Sequence, residues 1–97
     1  PLRAVWADNP GRHYGDAVQF LPSVPKKRIR HAVDRVTVRR RIREAYRLNR
    51  GEFFPDSLTA PLDILFVYVG KKPEPYAKVE EAMRRLLKKI FAGANAL

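Results

Sequence analysis

The sequence predicts an α+β fold in which two helices cover a small mixed sheet of about three to four strands. Three observations lead to it. The patterned segments follow the order strand, strand, helix, strand, helix; the third strand is apolar in both of its alternating sets; and both helical segments space their apolar residues three and four apart. At 97 residues the chain has the length of one domain, so a single domain with a modest core is expected over residues 1–97.

The first two strands are predicted at residues 2–7 and 17–24. The first is short and apolar, and it runs into a cluster of turn-forming residues at 8–11. The second shows the period of two that is typical of a strand, but Pro22 cannot donate a hydrogen bond to a neighbouring strand. The second strand is therefore expected at the edge of the sheet, or with a bulge at Pro22.

The central helix is predicted to begin between Ala32 and Asp34 and to end near Arg50 and Gly51. Asp34 suits the first turn, where a carboxylate offsets the helix dipole, and Gly51 can supply the left-handed conformation that ends many helices. The core-facing side is expected to be a short apolar stripe formed by Val38, Ile42, Ala45 and, toward one edge, Leu48.

The third strand, at residues 62–69, is the strongest strand signal, because it is rich in β-branched and aromatic residues. Apolar side chains in both alternating sets predict a central strand that is covered on both faces. Before it, Phe53 and Phe54 are expected to pack back against the core. A second helix is predicted from Pro75 to about residue 92, with a core-facing stripe of Tyr76, Val79, Met83, Leu86 and Ile90 and a basic face of Lys78, Arg84, Arg85, Lys88 and Lys89.

The central helix also carries the main functional signal. At 3.6 residues per turn, an arc of roughly 140° contains six arginines, namely Arg35, Arg39, Arg40, Arg43, Arg47 and Arg50. A solvated helix face usually interleaves glutamates, whereas here only Glu44 interrupts the run, and like charges four residues apart each cost a few tenths of a kcal/mol. The pattern therefore favours a phosphate-binding face, and arginine favours bidentate contacts to phosphate.

The charge of the whole chain supports an anionic partner. Lys and Arg together number 20 against 10 Asp and Glu, which gives a formal net charge of +10, and nucleic acid is the first candidate. Lys26, Lys27, Arg28 and Arg30 extend the positive segment toward the helix, although such a run can also be a flexible basic loop. Binding of this helix to an acidic membrane surface is disfavoured, because its apolar side is weakly hydrophobic: Ala45 lies in the middle, and there is no Trp or Phe.

Catalytic and metal-ligating patterns are missing from the sequence. His13 and His31 have no Ser, Cys or carboxylate at a spacing that suits a triad or a metal site, the acidic residues are scattered, and the chain has no cysteine. We therefore expect no catalytic residue, no metal site and no cofactor on the protein. No signal peptide or membrane-spanning pattern is visible, so a soluble, cytoplasmic protein is expected. Because the chain starts at Pro1, it is expected to be a fragment.

The run SVPKKRIRHAVDRVTVRRRIREAYR, at residues 23–47, resembles the signature of the protein subunit of bacterial ribonuclease P. That signature is a strand, Lys-Lys, a short connector, Ala-Val and a helix bearing Arg-Asn-Arg and further basic residues. The later strand LDILFVYV and the segment PYAKVEEAMRRLLKKI are similar to the last strand and C-terminal helix of the family. The resemblance covers nearly the whole chain, and it implies a ribosomal protein S5 domain 2-like fold with a left-handed βαβ crossover.

By this resemblance, the helix face binds the catalytic RNA subunit through the family's basic positions, which fall on Lys26, Lys27, Arg35, Arg39, Arg40 and Arg43. The cleft between helix and sheet receives the single-stranded 5′ leader of precursor tRNA, with Phe20, Lys26 and Lys27 as contributors. In that family the RNA and its Mg²⁺ ions perform the endonucleolytic cleavage, and the resemblance implies the same for this chain. Arg47 and Arg50 are weaker candidates for RNA contact.

The chain departs from the family pattern in three places. Val36 and Thr37 stand where the family usually has Asn and Arg, and the connector from Lys27 to Ala32 is one residue longer and has no Gly. The family's N-terminal helix is not expected in this chain, which would leave the sheet face beneath it bare.

Three further alternatives remain open from the sequence. A ribosomal-type structural protein would bind folded RNA without a processing role. A DNA-binding protein is disfavoured, because the arginine face has no Asn or Gln to contact base edges. The aromatic residues Trp6, Phe20, Phe66 and Tyr68 are expected in the core, but if they were exposed on one sheet face they would form a floor on which bases stack.

Overall fold

The computed structural model describes residues 1–8, 18–53 and 62–94, with side chains as far as residue 91. It contains the strands β1 (Leu2–Asp8), β2 (Val18–Ser23) and β3 (Leu62–Tyr68) and the helices α1 (Ala32–Phe53) and α2 (Tyr76–Ala94). The predicted α+β class and the order of elements are confirmed. The predictions for Phe54 and His13 concern residues outside the described ranges.

The described strands form one mixed sheet in the order β1, β3, β2. β3 runs antiparallel to β1, with Leu2 opposite Tyr68, and parallel to β2, with Val18 opposite Leu62. The predicted central position of β3 is therefore confirmed, as is the edge position of β2. The parallel register continues residue by residue past Pro22, which lies opposite Phe66, so the ladder contains no bulge there.

One face of the sheet is covered by the helices, and the other is not covered by any described element. Ile64, Phe66 and Tyr68 of β3 are fully buried beneath α1 and α2. On the other face the aligned residues Val5, Leu65 and Leu21 form an apolar row across β1, β3 and β2, in which Val5 is 58% and Leu21 61% exposed. The prediction that β3 is covered on both faces is thus wrong for the described parts of the chain.

The buried side of α1 is rotated from the predicted stripe. Val38, Ile42 and Ala45 are buried as expected, but Leu48 is 69% exposed, and Tyr46 and Asn49 are buried instead. Tyr46 packs between two rings of the sheet, with its centroid 4.0 Å from Phe20 and 6.0 Å from Phe66. The packing partners, a large ring on one side and α2 on the other, therefore set the rotation of α1.

The predicted stripe of α2 is mostly confirmed. Val79, Met83 and Ile90 are buried, and Tyr76 and Leu86 are partly buried against the same core. Leu87 and Phe91 are also buried, which widens the apolar side beyond the predicted positions. The helix begins one residue after Pro75 and ends at Ala94, two residues beyond the expected end.

The C-terminal end of α1 differs from the prediction. Gly51 lies inside the helix, which continues to Phe53, so it is not the residue that terminates α1. Phe53 packs against the core, and the last turn is held there by this contact. The side of Gly51 where a Cβ atom would point is open, with no heavy atom within 4 Å.

Replacing Gly51 with Ala should therefore stabilise the protein. A methyl group in open space adds no clash, and it removes backbone freedom from the unfolded chain, so the free energy of unfolding should rise by about 0.5–1 kcal/mol. Urea unfolding followed by circular dichroism measures this change. A decrease would mean that Gly51 does terminate the helix in solution.

Candidate nucleic-acid interface

The predicted cationic residues divide into two groups by exposure. Seven are exposed and two are half-buried, and Arg50 is also half-buried. The exposed group is Lys26, Lys27, Arg28, Arg30, Arg40, Arg43 and Arg47, and the half-buried pair is Arg35 and Arg39. The seven exposed residues are therefore the ones most accessible to a binding partner.

Arg40, Arg43 and Arg47 form the outward side of α1. At 100° per residue they lie within about 60° of one another, on the side away from Ala45 and Asn49. None of the three forms an ion pair with a described residue. Three exposed guanidinium groups without an ion-pair partner among the described residues give this side of α1 the chemistry that phosphate recognition requires, because arginine binds phosphate with two parallel hydrogen bonds.

The basic connector before α1 is a hydrogen-bonded turn. The backbone N–H groups of Arg28 and Ile29 both donate to the Pro25 carbonyl, at 3.0 and 3.1 Å. Ile29 is buried and anchors the turn in the core, while Lys26, Lys27 and Arg28 remain exposed at its tip. Three cations are thereby presented on one tight turn.

Arg35 joins this turn to the helix. Its Nη1 donates to the carbonyl oxygens of Ile29 at 3.0 Å and Arg30 at 2.7 Å. The predicted role of Arg35 as an RNA contact therefore competes with a structural role, since one end of its guanidinium group already holds the connector against the start of α1. Sequence reasoning could not distinguish Arg35 from its neighbours, because the bond depends on how residues 25–30 fold.

The motif positions Val36 and Thr37 present no free polar group. Val36 is 58% exposed on the arginine side of the helix, and the Thr37 hydroxyl donates to the Val33 carbonyl at 3.1 Å. Neither side chain replaces the Asn and Arg that the family pattern would place there. The phosphate-binding capacity of α1 therefore depends on the arginines further along the helix.

A groove of about 280 Å³ lies between β2 and the C-terminal half of α1, lined by Val18, Gln19, Phe20, Tyr46 and Arg50. The rings of Phe20 and Tyr46 are stacked at 4.0 Å with an angle of 31°, and the Arg50 guanidinium carbon is 5.7 Å from the centroid of Tyr46. The groove thus combines an aromatic wall with a cation. Its tyrosine was missed at the sequence level, although an aromatic residue one turn before Arg50 was a usable signal.

The predicted leader contacts do not form one cluster. Phe20 lines the groove, whereas Lys26 and Lys27 are not among its lining residues. They follow the far end of β2, and Phe20 and Ser23 alone are separated by roughly 10 Å of extended strand. The groove and the basic turn are therefore two neighbouring parts of the candidate surface.

Several other basic residues act inside the fold. Arg41 lies on the α2 side of α1 and donates to the Glu74 carbonyl at 2.6 Å. Arg84, which the sequence placed on the basic face of the second helix, instead donates to Glu52 at 2.5 and 3.0 Å and to the Asn49 side chain at 2.8 Å. The hydrogen bond from Arg84 lowers the pKa of Glu52, as expected for a carboxylate that is held in its charged form.

The described residues offer no site for protein-based metal chemistry. Within residues 1–8, 18–53 and 62–94, no group of three His, Cys, Asp or Glu residues is arranged to hold a metal ion. His31, one of the two histidines, is exposed at the start of α1. No helix in the same ranges is both long and apolar enough to cross a membrane.

The fold and this surface define a class, namely small basic α+β proteins in which a packed helix presents arginines to solvent. A model of the ribonuclease P family matches residues 2–91. Ribonuclease P protein components from two strains of Porphyromonas gingivalis are each 38% identical to the chain over 93 residues, which cover 93% of this chain. No solved structure matches the chain with significance. The chain belongs to the ribonuclease P protein family, and it spans 66% of the length of these relatives.

The structural role of Arg35 can be separated from that of an exposed arginine. Replacing Arg35 with Gln removes a charged donor from two backbone carbonyls and should lower the free energy of unfolding by about 1–2 kcal/mol. Arg43→Gln is the matched control, because Arg43 is exposed and its change should stay within about 0.5 kcal/mol. Urea titrations measure the free energy of unfolding of both variants. Equal losses in the two variants would show that Arg35 has no structural role.

Proposed function

We propose that this chain is the RNA-binding part of a ribonuclease P protein subunit, which helps a catalytic RNA remove the 5′ leader from precursor tRNA in the cytoplasm. The observation that carries the proposal is the exposed arginine side of α1. Arg40, Arg43 and Arg47 point outward and form no ion pair within the described ranges, while the opposite side of the helix is buried. Membership of the ribonuclease P family supports RNA as the polyanion.

In this proposal α1 and the basic turn bind the phosphate backbone of the catalytic RNA. Phosphate contacts position a protein on its RNA without reading sequence, which suits a helix that carries arginines and no outward amide side chains. The scissile chemistry is assigned to the RNA and its Mg²⁺ ions. The protein contributes by offsetting the repulsion between the phosphates of enzyme RNA and substrate.

The single-stranded leader is assigned to the groove beside β2. Unpaired bases stack on aromatic rings, and Arg50 can contact a phosphate or a base plane at the same place. Because Phe20 already stacks on Tyr46, only its remaining exposed part is offered to a base. Lys26 and Lys27 then bind backbone phosphates beyond the end of the groove.

Removal of the outward arginines tests the α1 surface. The variant Arg40→Gln, Arg43→Gln, Arg47→Gln should bind the catalytic RNA about 100-fold more weakly, because three phosphate contacts are lost. For a protein with about six such contacts, the logarithm of the binding constant falls with the logarithm of salt concentration at a slope of about −4 to −5, and the variant's slope should be shallower by about 2–3. Filter binding over a salt series measures both.

The charge-matched control is Arg3→Gln, Lys71→Gln, Lys72→Gln. These three residues are exposed and lie outside α1 and the basic turn, so the variant has the same net charge as the first. It should retain most of the affinity and slope of the unchanged protein. Equal losses in the two variants would show that total charge, and not the α1 surface, determines binding.

Processing is tested by reconstitution. Addition of the protein to the catalytic RNA at low Mg²⁺ should increase the rate of precursor tRNA cleavage, because the protein's cations replace part of the screening that Mg²⁺ supplies. The readout is release of the 5′ leader. If the protein binds the RNA but leaves the rate unchanged, the ribosomal-type structural role replaces the proposed one.

A further inference from the structure

We propose that the outward face of α2 is a second binding surface for an RNA backbone, so that the protein holds two RNA segments at once. This surface, the α2 basic face, consists of Lys78, Arg85, Lys88 and Lys89, and all four residues are exposed. The inference shares with the proposed function only the choice of RNA as the ligand. It concerns a surface to which that function gives no role.

The four residues share one side of the helix. At 100° per residue they lie within an arc of about 100° and extend over about 16 Å of helix length. The opposite side carries Val79, Met83, Leu87 and Ile90, which are fully buried. Because α2 buries its whole apolar side in the core, it has no such side left for a membrane, and the cationic side is directed to solvent.

The charge on this face is largely uncompensated. Glu81 is the one acidic residue in the same arc, and it lies 3.5 Å from Arg85. Lys78, Lys88 and Lys89 form no ion pair with any residue in the described parts of the chain. Arg84, which would otherwise add to the face, is turned toward Glu52 and Asn49. Three free ammonium groups therefore remain along the helix.

The α2 basic face is separate from the arginine side of α1. The two helices pack together through the bonds of Asn49 to Glu80 and of Arg84 to Glu52. Going around the C-terminal half of α1 from Arg40 toward α2, the exposed side chains are Glu44, Leu48 and Glu52. This acidic and apolar ridge divides the two cationic surfaces, so a single RNA strand does not run continuously over both.

The residue types indicate what kind of RNA the second face takes. Lysine is a point charge on a flexible stem, without the planar fork that arginine uses for bidentate or stacked contacts. No aromatic residue shares this arc of α2 with the lysines. Such a row of exposed lysines suits the backbone of a double-stranded segment, which is bound through phosphates and without sequence preference. The occupant we assign is therefore an RNA duplex.

The test uses the full chain and an RNA duplex of about 20 base pairs, without the catalytic RNA. In the α2 variant, Lys78→Gln, Lys88→Gln and Lys89→Gln remove the three free charges, and glutamine keeps a similar helix propensity. Sedimentation at low salt should show one duplex fewer bound per protein than for the unchanged chain. For the binding step that is lost, the slope of the logarithm of the binding constant against the logarithm of salt concentration should correspond to about two to three phosphate contacts.

Two comparisons make the result decisive. The variant Arg3→Gln, Lys71→Gln, Lys72→Gln should keep the original number of duplexes, and circular dichroism should show the same helix content in every variant. If the α2 variant binds as many duplexes as the unchanged chain, or if the control loses a duplex as well, the α2 basic face is an ordinary solvated surface. A failure of the reconstitution assay leaves this result unaffected, because the duplex experiment contains no catalytic RNA.

Discussion

The hydrogen bonds of Asn49 fix how α1 is rotated against α2, and the placement of every outward arginine depends on that rotation. Asn49 is the one polar residue among the buried residues of the described core. Its amide donates to the Ala45 carbonyl at 2.8 Å and to Glu80 at 3.1 Å, and its oxygen accepts from Arg84 at 2.8 Å. Two of these bonds cross to α2 and favour one arrangement of the helices, because a different arrangement would take the buried amide away from Glu80 and Arg84.

This network continues to both ends of the interface between the helices. Tyr76 donates to the same Glu80 oxygen at 3.1 Å, and burial together with this bond raises the pKa of Tyr76 to about 12. The Arg84 guanidinium carbon lies 5.1 Å from the centroid of Phe53, which holds the last turn of α1 near the core. The interface therefore combines buried apolar side chains with a chain of hydrogen bonds. These bonds hold the two helices in an alignment that apolar contacts alone would not specify.

The arginines of this chain show that identical side chains divide into different roles. Arg35 holds the connector, Arg41 holds the segment before α2, and Arg84 holds α1 to α2. Arg40 and Arg43 have no such contact with the described part of the chain, and both are exposed. The number of positive residues therefore overstates the size of the candidate RNA-binding surface, because some arginines donate to backbone carbonyls and carboxylates within the fold.

Much of the fold followed from local patterns. The apolar run of β3 indicated a central strand, Pro22 indicated an edge, and Val38 and Ile42 indicated the buried side of α1. The exposure of Leu48 could not be predicted, because Leu48 and Tyr46 lie on opposite edges of the apolar stripe and local sequence does not show which edge is buried.

Features that depend on tertiary packing could not be predicted from the sequence. The Tyr46 edge is buried because Tyr46 stacks on Phe20 of the sheet while Asn49 is bonded to α2. The bonds of Arg35, the continuation of α1 past Gly51 and the open side of β3 likewise depend on which segments meet in space. Within the candidate site, the cationic helix side was therefore predictable, whereas the groove and the inward-turned arginines were not.

The central claim is that the arginine side of α1 faces the catalytic RNA, and site-directed cross-linking tests it most directly. The chain has no cysteine, so Arg43→Cys and Leu48→Cys each place a single attachment point for a photoreactive group on exposed positions of the same helix, about 140° apart. We expect strong cross-linking to the catalytic RNA from position 43 and little from position 48. Equal cross-linking, or the reverse order, would contradict it.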